Sequence, residues 1–129
     1  MKHCLVIDDD FEVAALICEV LASHNYVSQS AFHGQQAIEM GLSKLSEFDL
    51  IFTDIKMPKM DGFEFIYAAR ELGIKAPIVA VTGLPDKGES LYLQDDGKKR
   101  ALPEHIISKP FKDLDIMSIS DSLTKKAED

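Results

Sequence analysis

Residues 49–62 read DLIFTDIKMPKMDG, and this stretch decides most of the fold. Its apolar run, LIFT at residues 50–53, is typical of a short strand that is buried on both faces of a sheet. The run stops at Asp54, and Pro58 together with Asp61-Gly62 indicates a loop. Asp61 is a suitable N-cap for the apolar helical pattern that follows it. The stretch therefore predicts a strand, a loop and the start of a helix.

The same alternation of strand and helix extends in both directions along the chain. Short apolar or β-rich runs predict five strands, at residues 3–7, 26–32, 50–53, 78–81 and 104–108. The second run is the least apolar, which favours a place at the edge of the sheet. Helices are predicted between the strands from apolar residues spaced three and four apart. The first is capped by Asp10, the second covers residues 35–45, the third follows Asp61, and the last follows the fifth strand.

Helical spacing also predicts which side chains face the core. Leu16 in the first helix, Leu42 in the second and Leu114 in the last are assigned to inward faces. Residues 84–103 contain prolines, glycines and a cluster of charges, so only a short helix around residues 89–94 is expected there.

Five strands that alternate with helices predict an α/β domain with a parallel sheet and right-handed crossovers. Parallel sheets need cover on both faces, so helices are expected on each side. The strand number favours the doubly wound, flavodoxin-like (βα)5 arrangement with strand order 2-1-3-4-5. We expect a single domain over residues 1–129, with a polar tail from residue 125 onward and no output domain.

Composition narrows the classes of partner. Against 14 Lys and Arg residues there are 22 Asp and Glu residues, which gives a net charge of −8. Such an acidic surface repels nucleic acids and anionic membranes, so neither is expected as a partner. Cys4 and Cys18 are read as core or near-core thiols, and the four histidines receive little functional weight. No signal peptide or membrane span is indicated, so a cytoplasmic location is expected.

Polar residues follow four of the predicted strands at the point where each strand ends. Asp8 and Asp9 follow the first strand, Asp54 the third, Thr82 the fourth and Lys109 the fifth. In a parallel sheet these ends share one edge, and the first and third strands flank the switch point where ligands bind. A single aspartate at a strand end is usually a cap or a turn residue. Five polar groups with complementary charges at one edge favour a functional site instead.

The chemistry of this set indicates a metal ion and a phosphoryl group. Three clustered carboxylates require a countercharge, and Mg²⁺ prefers oxygen ligands and keeps waters that phosphate can replace. Lys109 offers a positive charge and Thr82 a hydroxyl donor, which suits a small dianion. Asp54 lies between cation and anion sites, as a nucleophile that forms an acyl phosphate would.

Four motifs in order resemble the receiver domain of two-component response regulators, the family that includes the chemotaxis regulator. They are LVIDDD at residues 5–10, DLIFTDIKMPKMDG at 49–62, IVAVTG at 78–83 and IISKPF at 106–111. The resemblance covers essentially the whole chain. It implies that Asp54 takes a phosphoryl group from a phosphohistidine on a sensor histidine kinase or phosphotransfer protein, as in a phosphorelay. It also implies that a downstream protein target reads the result.

The resemblance assigns roles to the remaining site residues. Asp9 and Asp54 would bind Mg²⁺ directly, Asp8 through water, and Lys56 through its backbone carbonyl. Thr82 and Lys109 would bind phosphoryl oxygens, assisted by backbone N–H groups. Those N–H groups belong to Ile55 and Gly83. The resemblance further implies a cis Lys109-Pro110 bond, and it gives Gly62 the task of allowing a tight turn.

Two features depart from the family pattern. Ile106 occupies the switch position, three residues before the lysine, where family members often carry an aromatic residue that moves with Thr82. The stretch between Thr82 and Lys109 is long and poor in helix formers, although the family's usual output and dimerisation surface includes it. Lys56 and Leu84 would flank the path of the attacking water. A bulky apolar Leu84 would hinder that water, so a fairly long-lived phosphoryl group is expected.

Other readings remain open at the level of sequence. The chain could be a stand-alone receiver or a piece of a larger regulator or hybrid kinase. It could be a binding module that works without phosphorylation through the face formed by residues 84–103. A phosphatase acting on outside substrates is not expected, because Lys56 stands where such enzymes carry a second aspartate. A flavin-binding protein is weaker still, since no Trp and no phosphate-binding loop after the first strand are present.

Overall fold

Five parallel strands form one sheet in the order β2-β1-β3-β4-β5, which confirms the predicted topology. The computed structural model describes residues 1–128, with side chains described through residue 125. The strands are β1 (Lys2–Ile7), β2 (Tyr26–Ala31), β3 (Leu50–Asp54), β4 (Ile78–Thr82) and β5 (His105–Ser108). The helices are α1 (Phe11–Ala22), α2 (Gly34–Ile38), α3 (Gly41–Leu45), α4 (Gly62–Glu71), α5 (Glu89–Tyr92) and α6 (Asp113–Glu128).

Alternation along the strands divides the core into two layers. On β1, Cys4 and Val6 face one side of the sheet and pack with residues of α1 and α6. Leu5 and Ile7 face the other side and pack with residues of α2, α3 and α4. Full burial of such side chains contributes about 1.5–3 kcal/mol each, so both layers hold the sheet in register. Helices therefore cover both faces, as predicted.

Side-chain caps fix where the helices begin near the carboxyl edge. Asp10 Oδ1 accepts hydrogen bonds from the backbone N–H groups of Glu12 and Val13, which confirms the predicted cap of α1. Asp61 and Glu64 form a reciprocal capping box at the start of α4. At α2 the cap is His33, whose Nδ1 accepts from the N–H of Gln36. Sequence analysis gave little functional weight to His33 and did not predict this cap.

The single helix predicted over residues 35–45 is wrong, because the chain forms two short helices there. The break falls between α2 and α3, and Gly41 has a φ of +83°, a left-handed conformation that favours glycine. The change of direction leaves Leu45 buried and turns Leu42 outward, with 48% of its surface exposed. The assignment of Leu42 to the core is therefore wrong as well.

Leu16 and Leu114 are also exposed, at 46% and 71%, contrary to prediction. The inward stripe of α1 runs through Ile17 and Leu21, and that of α6 through Ile116 and Met117. One residue in a helix turns about 100°, because a turn contains about 3.6 residues, so each leucine lies to the side of its stripe.

The C-terminal tail differs from expectation, whereas the connection between β4 and β5 agrees with it. The polar tail expected from residue 125 is helical through Glu128, and residue 129 lies outside the described part of the chain. Between β4 and β5 the structure has α5 alone, a helix of 4 residues, so residues 84–103 are as poor in helix as the sequence indicated.

The buried and exposed faces of α6 predict different losses of stability when a side chain is shortened to alanine. We expect Ile116→Ala to lower the free energy of unfolding by about 2–5 kcal/mol, because a fully buried side chain leaves a cavity. Leu114→Ala, two residues earlier, should change it by less than about 0.5 kcal/mol. Urea unfolding followed by circular dichroism at 222 nm measures both. Equal losses would contradict the observed orientation of the helix.

Candidate functional site

Three carboxylates meet where β1 and β3 end. Ile7 and Thr53 are paired in the sheet, so the residues that follow them, Asp8 and Asp54, leave neighbouring strands side by side. One oxygen atom from each of Asp8, Asp9 and Asp54 lies within 4.8 Å of the others. Asp8 and Asp54 are buried, whereas Asp9 is exposed. The structure thus brings together the three acidic residues that the sequence singled out.

Backbone hydrogen bonds fix the orientation of the two buried carboxylates. Asp8 Oδ1 accepts from the N–H of Asp10 at 2.8 Å, so the cap of α1 and the carboxylate belong to one turn. Asp54 Oδ1 accepts from the N–H of Ile55, also at 2.8 Å. The resemblance assigns the N–H of Ile55 to a phosphoryl oxygen. In this structure the same N–H donates to the Asp54 carboxylate.

Lys109 supplies the positive charge beside this pair. Its Nζ lies 3.4 Å from Asp8 Oδ2 and 3.6 Å from Asp54 Oδ1. Its backbone N–H donates to the carbonyl oxygen of Thr82 at 2.7 Å, which holds the lysine beside β4. The bond to Pro110 is cis, in agreement with the resemblance. One lysine thus bridges two buried carboxylates.

Electrostatics at the site favour proton uptake in the absence of a metal ion. Burial raises the pKa of the Asp54 carboxyl to about 6, and the charge of Asp8 adds to the rise, while Lys109 opposes it. Burial also raises the pKa of Asp8, against the hydrogen bond from Asp10 and the charge of Lys109. The carboxylates therefore carry more negative charge than Lys109 neutralises, which is the environment that a hard divalent cation relieves.

The remaining predicted site residues lie on β4, on β5 and in the loops that follow β3 and β4. Thr82 is buried at the end of β4, and its Oγ1 accepts a hydrogen bond from the N–H of Leu84 at 3.0 Å. Gly83 is exposed and lies against the stem of Lys109. Lys56 is exposed in the loop after Asp54. Ile106 lies away from the carboxylates and packs, half-buried, with a small cluster around Phe63.

Gly62 is required for a different reason from the one expected. A Cβ atom at this position would lie 2.3 Å from the carbonyl oxygen of Asp54, which is far inside van der Waals contact. The N–H of Gly62 donates to the carbonyl oxygen of Ile55 at 2.7 Å. The first residue of α4 therefore packs directly on the backbone of Asp54, and close approach explains the glycine.

Arg100, which sequence analysis did not single out, binds the end of the loop that follows Asp54. The Arg100 Nε donates to Asp61 Oδ2 at 2.9 Å, and the guanidinium also binds Asp96. The charge cluster was visible in the sequence, but its partner Asp61 lies 39 residues away. No local spacing rule links the two residues.

The strand order, the switch-point carboxylates and the bridging lysine define a flavodoxin-like α/β domain with an acidic ligand site. A family model for the response regulator receiver domain matches residues 4–121. The chain belongs to this family, and it is a receiver domain of two-component signalling. The motifs that carried the resemblance thus identified the family correctly.

Curated relatives share this domain within longer proteins. The chain is 31% identical over 129 residues to a protein-glutamate methylesterase/protein-glutamine glutaminase of Clostridium acetobutylicum, covering 95% of the chain and 34% of that protein. It is 31% identical over 107 residues to the transcriptional regulatory protein DltR of Streptococcus agalactiae, covering 83% of the chain and 45% of DltR. The chain therefore spans less than half the length of these relatives.

A solved structure shares the fold along almost the whole chain. The response regulator protein TrrA of Thermotoga maritima, in complex with Mg²⁺-BeF, superposes with a TM-score of 0.74 at 25% identity. The match covers 95% of this chain and 99% of that one. Among residues 1–128, no helix has both the length and the apolar character that a membrane span requires.

The raised pKa of Asp54 predicts a gain in stability when its charge is removed. The native state binds this proton more tightly than the unfolded chain. The proton bound to Asp54 therefore contributes its full stabilisation below about pH 4, and this stabilisation is lost as the pH rises through about 6. Asp54→Asn should raise the free energy of unfolding of metal-free protein at pH 7 by about 1–3 kcal/mol.

The measurement is urea unfolding in EDTA at several pH values. The advantage of Asp54→Asn over the wild type should grow between pH 4 and pH 7. Asp10→Asn, which keeps a capping side chain outside the carboxylate cluster, is the matched control. A constant difference between Asp54→Asn and wild type across this range would contradict the assigned pKa.

Proposed function

We propose that the chain accepts a phosphoryl group on Asp54 from a phosphohistidine, in a reaction that depends on Mg²⁺. The donor is a sensor histidine kinase or a histidine phosphotransfer protein, and the phosphorylated domain signals by binding a downstream protein. The convergence of Asp8, Asp9 and Asp54 with Lys109 is the observation that carries this proposal.

The donor set fits Mg²⁺. It consists of carboxylate oxygens within 4.8 Å of one another, and two of these carboxylates are buried with raised pKa values. Asp9 and Asp54 would bind the ion directly, Asp8 through water, and Lys56 through its carbonyl oxygen. The bound ion supplies positive charge that offsets the charge of the phosphoryl oxygens. The fit follows from the chemistry and spacing of the side chains.

The protein's own groups would act by position and charge. An oxygen of Asp54 forms a bond to phosphorus while the bond from phosphorus to the donor's imidazole nitrogen breaks, and the electron pair of that bond stays on the nitrogen. Lys109 turns its ammonium group from the Asp54 carboxylate toward a phosphoryl oxygen. The hydroxyl of Thr82 and the N–H groups of Ile55 and Gly83 donate to the remaining oxygens.

Several further expectations belong to this proposal. Turnover of outside substrates is not part of it, because Lys56 stands where phosphatases with an aspartate nucleophile usually carry a second aspartate. The partners are proteins, and neither nucleic acid nor membrane is proposed for this acidic domain, which we place in the cytoplasm. A module that works without phosphorylation is less well supported, because residues 8, 9, 54, 82 and 109 together keep a complete phosphoacceptor set.

Intact-mass spectrometry after incubation with acetyl phosphate tests the proposal. We expect one phosphoryl adduct on the wild type in Mg²⁺, none in EDTA, and none on Asp54→Asn in either condition. Asp10→Asn should form the adduct as the wild type does, because Asp10 caps α1 without belonging to the carboxylate cluster. A folded wild-type protein that forms no adduct would overturn the proposed function.

The position of Leu84 predicts a slow loss of the phosphoryl group. Leu84 lies two residues after Thr82. It packs against the cluster that contains Ile55, the residue next to Asp54 in the chain. Leu84→Ala should speed autodephosphorylation by about 3- to 10-fold, which corresponds to about 1 kcal/mol of barrier. The decay of the adduct by mass spectrometry measures this rate. Leu93→Ala, an exposed leucine of the same segment, should leave it unchanged, and equal rates for all three proteins would refute the role of Leu84.

A further inference from the structure

The connection between β4 and β5, residues 83–104, contains little regular structure. We call residues 84–104 of this connection the crossover segment. It contains the four-residue helix α5 and a stretch from residue 95 to 104 without helix or strand. Such a segment holds its position through specific contacts, since it has little internal secondary structure. Polar contacts near both ends of the segment join it to the rest of the domain, and two of them, at Thr82 and at Arg100, lead to the elements that carry the phosphoryl site.

The first attachment is the hydroxyl of Thr82. Its Oγ1 accepts from the N–H of Leu84 at 3.0 Å, where the segment begins. Under the proposed function this hydroxyl turns toward a phosphoryl oxygen. The N–H of Leu84 then loses its hydrogen bond to Thr82 Oγ1. The near end of the segment is therefore sensitive to phosphorylation.

The second attachment is Arg100, whose side chain is only 4% exposed. Its Nε donates to Asp61 Oδ2 at 2.9 Å, and its two terminal nitrogens donate to both oxygens of Asp96 at 3.0 and 2.8 Å. The planar guanidinium matches a carboxylate with two parallel hydrogen bonds, so the geometry is specific to arginine. Arg100 thus ties residues 96–100 together and joins them to Asp61.

Asp61 in turn is fixed to the backbone of the phosphoacceptor. Its Oδ1 accepts from the N–H of Glu64, and the next residue, Gly62, packs on the carbonyl oxygen of Asp54. The N–H of Ala101 adds a hydrogen bond to the carbonyl oxygen of Phe63 at 3.1 Å. The far end of the segment is therefore bound to the rigid first turn of α4.

The middle of the segment is held differently. Among the described residues, the hydrogen bonds made by residues 86–93 stay within the segment, as in the turn around Asp86. Contact with the rest of the domain is apolar: Gly88 lies against the ring of Phe63, and Tyr92 meets that ring edge-on at 5.2 Å. Apolar contact is not directional, so this part can shift without breaking a polar network.

We propose that Arg100 is a positioning residue that fixes the far end of the crossover segment to the phosphoacceptor loop. Phosphorylation then alters the surface of residues 84–93 and leaves residues 94–101 in place. This inference rests on the proposed function of Asp54. In this proposal, the ion pair of Arg100 with Asp61 limits how far the structural response to phosphorylation extends along the chain. The chain has Ile106 at the position of the aromatic switch residue.

Hydrogen exchange followed by mass spectrometry on the full chain tests the proposal, with Mg²⁺ present and with or without beryllium fluoride as the phosphoryl mimic. In the wild type, the mimic should change exchange several-fold in residues 84–93 and leave residues 94–101 unchanged. In Arg100→Gln the change should extend through residues 94–101. This difference between the two states, rather than basal exchange, separates positioning from a purely structural role.

Two further variants make the test specific. Arg70→Gln removes another arginine that pairs with the segment, through Glu104, without touching Asp61. It should keep the wild-type pattern. Asp61→Asn keeps a side chain that can cap α4 but removes the charge that Arg100 faces, so it should reproduce the effect of Arg100→Gln even if that variant folds poorly.

The outcomes separate this inference from the proposed function. If the wild type binds the mimic and residues 94–101 respond to it, or if Asp61→Asn keeps the wild-type pattern, the role of Arg100 is refuted while the phosphoacceptor function stands. If the wild type forms no acetyl phosphate adduct and shows no exchange response to the mimic, the proposed function fails and the inference fails with it.

Discussion

The site depends on negative charge that the protein does not neutralise by itself. Asp8 and Asp54 are buried next to each other, and Lys109 is shared between them at 3.4 and 3.6 Å. Burial raises the pKa of both carboxyls because their charged forms are poorly solvated, and the charge of Asp8 adds to the rise at Asp54. A site with this imbalance favours a hard cation. The same imbalance costs stability when no cation is bound, as is common where function opposes stability.

The sheet makes this costly arrangement possible. Parallel pairing of β1 with β3 places two carboxylates at adjacent strand ends, and the helices on both faces help to bury residues 4–7 of β1 and all of β3. Gly62 lets α4 approach the carbonyl oxygen of Asp54, so the first residue of α4 packs against the loop that follows Asp54. The rigid framework holds the charges together, while the middle of the crossover segment beside it has apolar contacts with Phe63.

Residue patterns predicted the elements that obey local rules. The caps Asp10 and Asp61 were recognisable because a capping side chain and its N–H partner lie within three residues of each other. Leu16 and Leu114 were misassigned because a helix of leucines and isoleucines offers more than one apolar stripe, and packing against the sheet selects one of them. The helix over residues 35–45 failed at Gly41, whose left-handed conformation breaks a pattern that looks continuous in sequence.

The sequence by itself determined the strand order, the receiver family and the meeting of Asp8, Asp9, Asp54 and Lys109 at one sheet edge, because these follow from the alternation of strands and helices or from short motifs. Only the tertiary structure decided how Asp54 Oδ1 is bonded, why Gly62 is glycine, and which carboxylate Arg100 meets. Gly62 meets Asp54 across a loop, and Lys109 and Arg100 reach Asp54 and Asp61 from distant parts of the chain. Local spacing carries no information about such contacts, since packing of the whole domain sets them.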